Sequence, residues 1–390
     1  MGWITAAEAL GMLGVRPQTL YANVSRGKIR AQPDEADSRR SLYHREDVQR
    51  MAKRSNGRRK VETVAAQAIE WGDPVLPSAI STVIDGRLWY RGLDAVALSG
   101  TASLEDVAAL LWDCPEAPRL RPATRGDRVI HGRGGFGGAL RAGLIALSER
   151  SANDLPSIGR ALPVLREEAA SVLVTLAQAM LGNEESSGDR PLSEHISTLW
   201  ARRDAEDMIR RALVLLADHE LNASTFAARV TISTGASLAA GMLGGLASLT
   251  GPLHGRASLA LNALIASTER LGVEQAVREW LAQGRTLPGF GHPLYPDGDV
   301  RAAALLELLP TRRAYTELLG YVARSVGEAP NIDFALAVIA ETFDLPAEAP
   351  FILFALGRCV GWLAHALEQV EAHRLIRPRA RYVGVVPDVE

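Results

Sequence analysis

Four residues that can exchange or share protons stand at helix ends or breaks rather than inside regular elements. His219 lies in DHELNAS, His254 in TGPLHGRAS, His292 in LPGFGHPLYPDGDVR and Asp333 in PNIDF. Imidazoles and a carboxylate in rigid loops, with arginines nearby, suit general acid–base chemistry on an anionic carbonyl compound. The carboxylate would take a carbon-bound proton, imidazoles would stabilise developing oxygen charge, and arginine forks would hold substrate carboxylates.

The sequence lacks the motifs that several other catalytic chemistries require. No HExxH or CxxC spacing is present, so the sequence predicts no metal site, and no GxSxG motif marks a serine nucleophile. All three lysines precede residue 61, which excludes Schiff-base and P-loop chemistry from the rest of the chain. His365 in GWLAHALEQ stands at a helical position and is interpreted as a packed or capping residue. The remaining histidines have no supporting context: His44, His131, His195 and His373.

The segment Leu287–Arg301 concentrates residues that regular structure excludes. It holds three prolines and three glycines in LPGFGHPLYPDGDVR. Proline removes a backbone donor and glycine raises the entropic cost of order, so neither a regular helix nor a central strand is expected. Taken alone, the composition leaves a plain turn and a functional loop as alternatives.

The elements that must position these residues are predicted to be mostly helical. Apolar residues recur at three- and four-residue spacing in six segments: Ser103–Trp112, Pro156–Leu181, Pro191–His219, Ala257–Leu271, Val273–Gln283 and Pro350–Glu371. Alternation around Asp85-Gly86 predicts a β-hairpin over Thr82–Arg91. Val230–Leu253 has no charge but five glycines, so we interpret it as a buried helix and not as a membrane span.

The N-terminal residues differ in charge from the rest of the chain. Residues 1–60 carry 13 Lys+Arg against 6 Asp+Glu, whereas the whole chain has a net charge of −2. A capping box at Thr5–Glu8, a second helix from Pro17 to Gly27 and two later strands resemble the MerR/excisionase-like winged helix-turn-helix over residues 1–54. A basic linker over 55–60 is expected to follow. Exposed basic side chains could contact DNA phosphates: Arg16, Arg26, Lys28, Arg30, Arg39 and Arg40. The alternative is a docking module that does not touch DNA.

The body of the chain, residues 61–390, resembles the citrate synthase family. Six motifs occur in that family's order: DHELNASTFAARV, TGPLHGRAS, LPGFGHPLYPDGDVR, PNIDF, FALGRCVGWLAHALE and LIRPRARYVG. The hairpin sequence DGRLWYRG is similar to the family's N-terminal signature, and the match is weakest between Pro115 and Ser193. Six motifs in one order are far more specific than any one of them.

The resemblance implies a role for each matching residue. Asp333 would remove a proton from the acyl group of a CoA thioester, His254 would hydrogen-bond the enol oxygen, and His292 would polarise the oxaloacetate carbonyl. The oxaloacetate carboxylates would be bound by a larger set: His219, Arg301, Arg358 and, from the second subunit of a dimer, Arg377. Backbone of the loop Pro288, Gly289, Phe290 and Gly291 would line the CoA adenine site.

It also implies the architecture and setting. We expect an all-α body with a large domain (61–223 and 335–390) and a small lid domain (224–334) that closes on substrate. The expected protein is a homodimeric transferase of the tricarboxylic acid cycle, with acyl-CoA as substrate and no metal or permanently bound cofactor. Two cysteines, too few for a disulfide framework, and no visible signal segment fit a cytoplasmic protein without membrane contact.

Two departures leave alternatives open. Bacterial-type family members often read GHRVYK where this chain has His292-Pro-Leu-Tyr-Pro296, which loses two cations, and DPR is replaced by Asp299-Val300-Arg301. Acetyl-CoA is the first expectation for the donor, and propionyl-CoA, giving 2-methylcitrate, is the alternative. A DNA-binding regulator with a synthase-like sensor body is a second alternative, and a citryl-CoA lyase-like cleavage enzyme is a weaker third.

Overall fold

The computed structural model describes residues 2–13, 20–21, 23–24, 28–34, 37–49, 51, 76–120, 138–183, 190–251, 257–310, 312–380 and 382–384. The chain divides into two compact units, one ending at Pro77 and one spanning Ser78–Glu390. The predicted basic linker over 55–60 lies outside the described residues.

The N-terminal unit combines helical segments, among them residues 6–13 and 45–49, with a three-stranded antiparallel sheet. Helix α1 spans Ala6–Leu13, and the strands β1 (Trp3–Ile4), β2 (Ala31–Asp34) and β3 (Asp37–His44) lie in the order β1-β3-β2. At the start of α1, the Thr5 N–H donates to Glu8 Oε2 at 2.8 Å and the Glu8 N–H donates to Thr5 Oγ1 at 3.4 Å, which confirms the predicted capping box.

The two strands predicted after residue 29 are present as β2 and β3. The helix predicted over residues 17–27 lies largely outside the described residues, so the winged helix-turn-helix stays a prediction. One of the basic side chains assigned to DNA contacts is engaged within the unit, because Arg30 Nε donates to Asp47 Oδ2 at 2.7 Å.

The C-terminal unit is mainly helical, as predicted. Its small sheet pairs β4 (Ser81–Ile84) with β5 (Arg87–Tyr90) and β5 with β6 (Leu93–Asp94). Asp85 and Gly86 both have positive φ in the turn, and the predicted hairpin is confirmed. Its helices in chain order are α2 (Ala95–Ser99), α3 (Leu104–Trp112), α4 (Gly138–Asn153), α5 (Leu162–Leu181), α6 (Leu192–Leu199), α7 (Glu206–Leu216), α8 (Ala223–Ser233), α9 (Leu238–Ser248), α10 (Ala257–Leu271), α11 (Val273–Ala282), α12 (Val300–Leu306), α13 (Arg313–Ser325), α14 (Ile332–Thr342) and α15 (Ala349–Glu371).

Three predicted helical segments differ in extent from the observed helices. The segment of helical periodicity predicted over 191–219 contains two helices, α6 and α7, with a left-handed residue, Ala201 (φ 55°), and a 3₁₀ turn at Arg203–Ala205 between them. The single buried helix predicted over 230–253 is interrupted after α8, where Gly235 has φ 86°. Helix α5 starts at Leu162 and not at residue 156. Apolar periodicity continues through such breaks because both flanking helices pack on the same core.

Helix α15 forms the centre of this unit. It is the one described helix long and apolar enough to cross a membrane, and 89% of its most apolar stretch is buried inside the protein, as is usual for a core helix. Glycines let it approach the end of α7 closely: a Cβ on Gly357 would stand 2.8 Å from Leu216 Cβ, and one on Gly361 would collide with Ala217 O. This close packing places α15 directly against the loop that carries His219.

Candidate functional site

Two segments that are distant in sequence form one unit at the centre of the site. The loop Pro288–Gly291, with Gly289 and Gly291 at φ 81° and 68°, lies beside residues 329–331. The Gly291 N–H donates to Ala329 O and the Asn331 N–H donates to Gly289 O, both at 2.9 Å. Asn331 Nδ2 also donates to Gly291 O at 3.1 Å. The glycine loop and the start of α14 are therefore fixed to each other.

Asp333 stands in the first turn of α14, directly behind this junction. Its N–H donates to Asn331 Oδ1 at 3.1 Å, which caps the helix. Part of the side-chain surface is accessible, but protein atoms surround the carboxyl group. This burial, reinforced by the negative charge of Asp299 and opposed by Arg301 and Arg358, raises the pKa of Asp333 to about 6. At neutral pH the carboxylate is ionised and more basic than an ordinary aspartate.

Three rings from two parts of the chain meet on the other side of the site. His219, in the loop after α7, shares a 2.9 Å hydrogen bond through Nε2 with Tyr295 Oη. The His219 and His292 rings form an edge-to-face contact with centroids 4.9 Å apart, and the His292 and Tyr295 centroids are 5.1 Å apart. Leu287–Arg301 is therefore part of a packed cluster and not a plain turn.

Both imidazoles are neutral at physiological pH. Burial, followed by the positive charges of Arg301 and Arg358, lowers the pKa of His219 well below its ordinary value. The same causes lower the pKa of His292 to about 4. The Leu294 N–H donates to His292 Nδ1 at 3.2 Å, so Nδ1 is an acceptor and the proton of the neutral ring is on Nε2. His292 can thus polarise a carbonyl as a neutral hydrogen-bond donor.

Arg301 is buried and paired with an internal carboxylate. Its Nε donates to Asp299 Oδ1 at 2.9 Å and its Nη2 donates to Asp299 Oδ2 at 2.8 Å. Asp299 also accepts from the Ile332 N–H at 3.0 Å, which joins α12 to α14. The guanidinium carbon lies 5.3 Å from the centre of the Tyr295 ring. In the described part of the chain Nη1 has no hydrogen-bond acceptor.

Arg358, on α15, is the unbalanced cation of the site. It is only 2% exposed, its Nε donates to Leu216 O at 3.0 Å, and no described carboxylate lies within ion-pair distance of it. Burial is the main cause that lowers its pKa to about 10, with repulsion from Arg301 adding to it and Asp218 opposing it. A buried, charged guanidinium without a carboxylate partner is a candidate anion site, because the cost of its burial falls when an anion pairs with it.

Not every predicted site residue is placed in this cluster. Arg377 is exposed in the segment after α15. His254 lies outside the described residues. The described residues contain no group of three or more His, Cys, Asp or Glu side chains arranged to hold a metal ion.

Sequence reasoning missed several residues that the structure places at the site. Tyr295, Asp299 and Asn331 all contact predicted site residues, although none was predicted. Asp299 and Asn331 carried a usable signal, since Asn and Asp before a helix are typical N-caps, whereas Tyr295 carried none. His365 was interpreted as a packed or capping residue. The structure confirms that it is packed, since it is fully buried, and also places both of its ring nitrogens in a polar network that ends beside His219.

Comparison with known protein families finds relatives that match most of the chain. The family model for the C-terminal domain of citrate synthase matches residues 138–379. Citrate synthase 2 of Bacillus subtilis is 30% identical over 350 residues, covering 79% of this chain and 93% of that protein. A 2-methylcitrate synthase of Mycobacterium tuberculosis is 35% identical over 360 residues, covering 79% and 88%.

Solved structures agree at the level of the fold. The crystal structure of citrate synthase from Thermotoga maritima has a TM-score of 0.64 at 28% identity and covers 83% of this chain and 97% of that one. A citrate synthase from Thermoplasma acidophilum, solved as a ternary complex with carboxymethyl coenzyme A and oxaloacetate, has a TM-score of 0.67 at 24% identity and covers 81% and 96%.

Proposed function

Because the chain belongs to the citrate synthase family, we propose that it joins the acyl group of a CoA thioester to oxaloacetate and hydrolyses the citryl thioester to citrate and CoA. It is an enzyme of the transferase class, and acetyl-CoA is the first candidate for the donor. One observation carries the proposal: neutral imidazoles and buried arginines face the same cluster, next to an aspartate of raised basicity.

Asp333 is the proposed base. A thioester α-proton is too weakly acidic for an ordinary carboxylate in water. Burial that raises the pKa of Asp333 to about 6 reduces the mismatch without protonating the group at neutral pH. The proton moves to the Asp333 carboxylate and its bonding pair becomes the enolate, whose oxygen we assign to His254 as donor.

His292 is the proposed electrophilic group. The neutral ring, with its proton on Nε2, would donate to the ketone oxygen of oxaloacetate while the enol carbon attacks the carbonyl carbon. A charged imidazolium would be costly here, since Arg301 and Arg358 already supply two positive charges nearby. The neutral donor fits the field that the arginines create.

The arginines and His219 are the proposed dicarboxylate site. Arg358 has no carboxylate partner in the described protein, so a substrate carboxylate would supply one. Arg301, whose fork is occupied on one side by Asp299, would offer its remaining Nη1. Arg377 would complete the site from the second subunit of a homodimer, which agrees with its exposure in the single chain.

The loop Pro288–Gly291 is the proposed contact for the CoA adenine. Its positive-φ glycines and its bonds to residues 329–331 fix its backbone beside Asp333. His292 and Asp333 both fall in the proposed lid domain (224–334), whereas His219 and Arg358 fall in the large domain. Closure of the lid would therefore bring the base and the electrophile onto oxaloacetate and exclude water during enolisation.

A second donor, propionyl-CoA, is supported by the 35% identity to a 2-methylcitrate synthase. One additional methylene changes binding in a pocket by only about 1–3 kcal/mol, so a small change in shape can reverse the preference. Pro293 and Pro296, which stand where many bacterial-type members have cations, are the proposed places where this chain departs from the family pattern. DNA binding by residues 1–54 remains the proposal for the basic N-terminal unit.

Release of free thiol tests the proposal. Acetyl-, propionyl- and butyryl-CoA would each be incubated with the full chain, with and without oxaloacetate. We expect thiol release that depends on oxaloacetate, and the ratio of kcat/KM values identifies the donor. If no thioester is consumed while the protein retards a DNA fragment in a gel, the enzyme proposal is wrong and the chain is a DNA-binding regulator.

A further inference from the structure

A row of buried polar side chains connects the outer end of α15 to the residue before His219. Arg229 Nη1 donates to Glu368 Oε2 at 2.6 Å and lies 3.1 Å from His365 Nδ1. His365 Nε2 lies 3.3 Å from Asp218 Oδ2. Three of these groups, Arg229, His365 and Asp218, are at most 2% exposed. None of them has a role in the function proposed above.

The chemistry of arginine fixes the protonation state of His365. A guanidinium can only donate, so His365 Nδ1 must accept from Arg229 and carries no proton. The ring is therefore neutral with its proton on Nε2, which donates to Asp218 Oδ2. Ser81 Oγ donates to the same carboxylate oxygen. Burial by itself would raise the pKa of Asp218, whereas the hydrogen bonds from His365 and Ser81 and the charge of Arg358 oppose that rise and favour the carboxylate.

The backbone of Asp218 is held as firmly as its side chain. Tyr90 Oη lies 3.2 Å from Asp218 O and 3.3 Å from Asp218 N, and also donates to Val214 O at 3.0 Å. On the opposite side, the missing Cβ of Gly361 leaves room for the Asp218 side chain, which such an atom would overlap. Because residue 218 is held on several sides, the peptide that follows it places His219.

Asp218 also supplies negative charge for Arg358. No described carboxylate is within ion-pair distance of Arg358. Among the described groups, Asp218 is the one whose charge most favours the charged form of Arg358. The neutral His365 keeps Asp218 ionised without adding a positive charge next to Arg358. A positively charged side chain in place of His365 would cancel the negative charge that Asp218 supplies near Arg358.

We propose that Asp218 and His365 are positioning residues of the dicarboxylate site: His365 keeps the Asp218 carboxylate ionised and oriented, and Asp218 in turn places His219 and offsets part of the charge of Arg358 from beyond ion-pair distance. The inference rests on the proposed function for the identity of the ligand as oxaloacetate. It assigns neither residue a contact with the substrate.

A matched pair of variants at residue 365 tests this. His365→Leu removes the donor to Asp218, whereas His365→Gln keeps an amide N–H at the place of Nε2. We expect His365→Leu to raise KM for oxaloacetate about tenfold or more, the size expected when a charge-assisted hydrogen bond is lost. KM for the thioester and kcat should stay within about threefold, and His365→Gln should restore most of the oxaloacetate KM. An unchanged oxaloacetate KM in the Leu variant, or equal rises in both KM values, would overturn the proposal.

A variant at a second position tests the proposal if His365→Leu fails to fold. Ser81→Ala removes the other donor to Asp218 Oδ2 from a partly exposed strand, and it should also raise KM for oxaloacetate selectively. Thr268→Val is the control, because it deletes a buried hydroxyl hydrogen bond on α10, to Ile265 O at 2.8 Å, that contacts none of these groups. Equal rises in KM for oxaloacetate in the Ser81 and Thr268 variants would mean that these residues act through general stability and not by positioning the site.

Histidine spectroscopy separates this inference from the proposed function. In full-length protein labelled with ¹⁵N-histidine, His365 should show a protonated Nε2 and an unprotonated Nδ1. The His219 ring signals should shift in His365→Leu and much less in His365→Gln. If the wild type releases no thiol but His219 responds in this way, the proposed function fails and the positioning role stands. If turnover is normal and His219 is insensitive, the positioning role fails alone.

Discussion

Replacing Asp333 by asparagine should stabilise the folded protein while it abolishes most of the activity. Burial raises the pKa of this carboxyl from 3.8 to about 6. A shift of that size corresponds to about 3 kcal/mol of unfavourable free energy for the ionised group. Part of the side chain is accessible, so solvent screening reduces the expected gain to about 1–3 kcal/mol. Asparagine keeps the shape and the polar character of the side chain without the charge.

The sign of the pH dependence follows from the direction of the shift. Because the pKa is higher in the folded state, the folded protein binds the Asp333 proton more tightly than the unfolded chain does. The destabilising contribution is complete above about pH 7 and disappears as the pH falls below the ordinary value near 4. The advantage of Asp333→Asn should therefore be largest at pH 8, roughly half as large at pH 5, and absent below about pH 4.

Urea unfolding at pH 8 and pH 5, for the wild type and Asp333→Asn, measures this difference directly. Thiol release measured in parallel should fall by about 10²–10⁴-fold, the usual contribution of a general base. Asp297→Asn is the control, since Asp297 is an exposed aspartate of the neighbouring segment, and it should change neither quantity. An Asp333→Asn protein that is less stable than wild type at pH 8 would refute the reasoning, because the carboxylate would then be a stabilising group and not a strained base.

Three further predictions address the site and the N-terminal unit. The kcat/KM for the thioester should fall about tenfold per pH unit below a midpoint near 6, where Asp333 protonates; a midpoint near 4 would instead assign the limb to His292. Tyr295→Phe deletes the 2.9 Å bond to His219, and calorimetry should show about 2- to 12-fold weaker oxaloacetate binding, the value of one hydrogen bond; unchanged binding would exclude a role for the hydroxyl. Removing residues 1–77, which form a separate compact unit, should leave thiol release within about twofold, whereas insoluble protein would favour a docking role.

The helices and loops of the site could be predicted from local sequence, but the contacts between them could not. Proline and glycine in Leu287–Arg301 act through the backbone of their own segment, so the loop was expected and is present. The bonds from this loop to residues 329–331 join positions about 40 residues apart. Nothing in the spacing of either segment specifies such a partner. Only the family resemblance connected His292 with Asp333.

Histidine roles show the same limit more clearly. His365 stands at a regular helical position, and periodicity alone indicates a packed residue. The predicted burial is confirmed, because His365 lies on α15 and its side chain is fully buried. Its partners come from α8 and from the loop after α7, so a helical pattern could not distinguish an inert buried histidine from a member of the network.

The charges of the site differ in how far the protein itself compensates them, and that difference leads to a last prediction. Arg301 already has a carboxylate in Asp299, whereas Arg358 has none, and Asp333 is ionised in a place where burial disfavours its charge. An anion that pairs with Arg358 should relieve the cost of burying that cation. The same anion should disfavour the charge of Asp333 further and make it a stronger base.

Oxaloacetate should therefore stabilise the protein before any thioester is present, by about 2.7 kcal/mol at a concentration a hundred times its Kd. It should also move the acid limb of the thiol-release reaction to higher pH at saturation. Thermal unfolding with oxaloacetate alone, compared with Arg358→Gln, measures the first effect, and pH profiles of kcat and kcat/KM measure the second. Stabilisation that persists undiminished in Arg358→Gln would show that the unpaired arginine is not where the dicarboxylate binds.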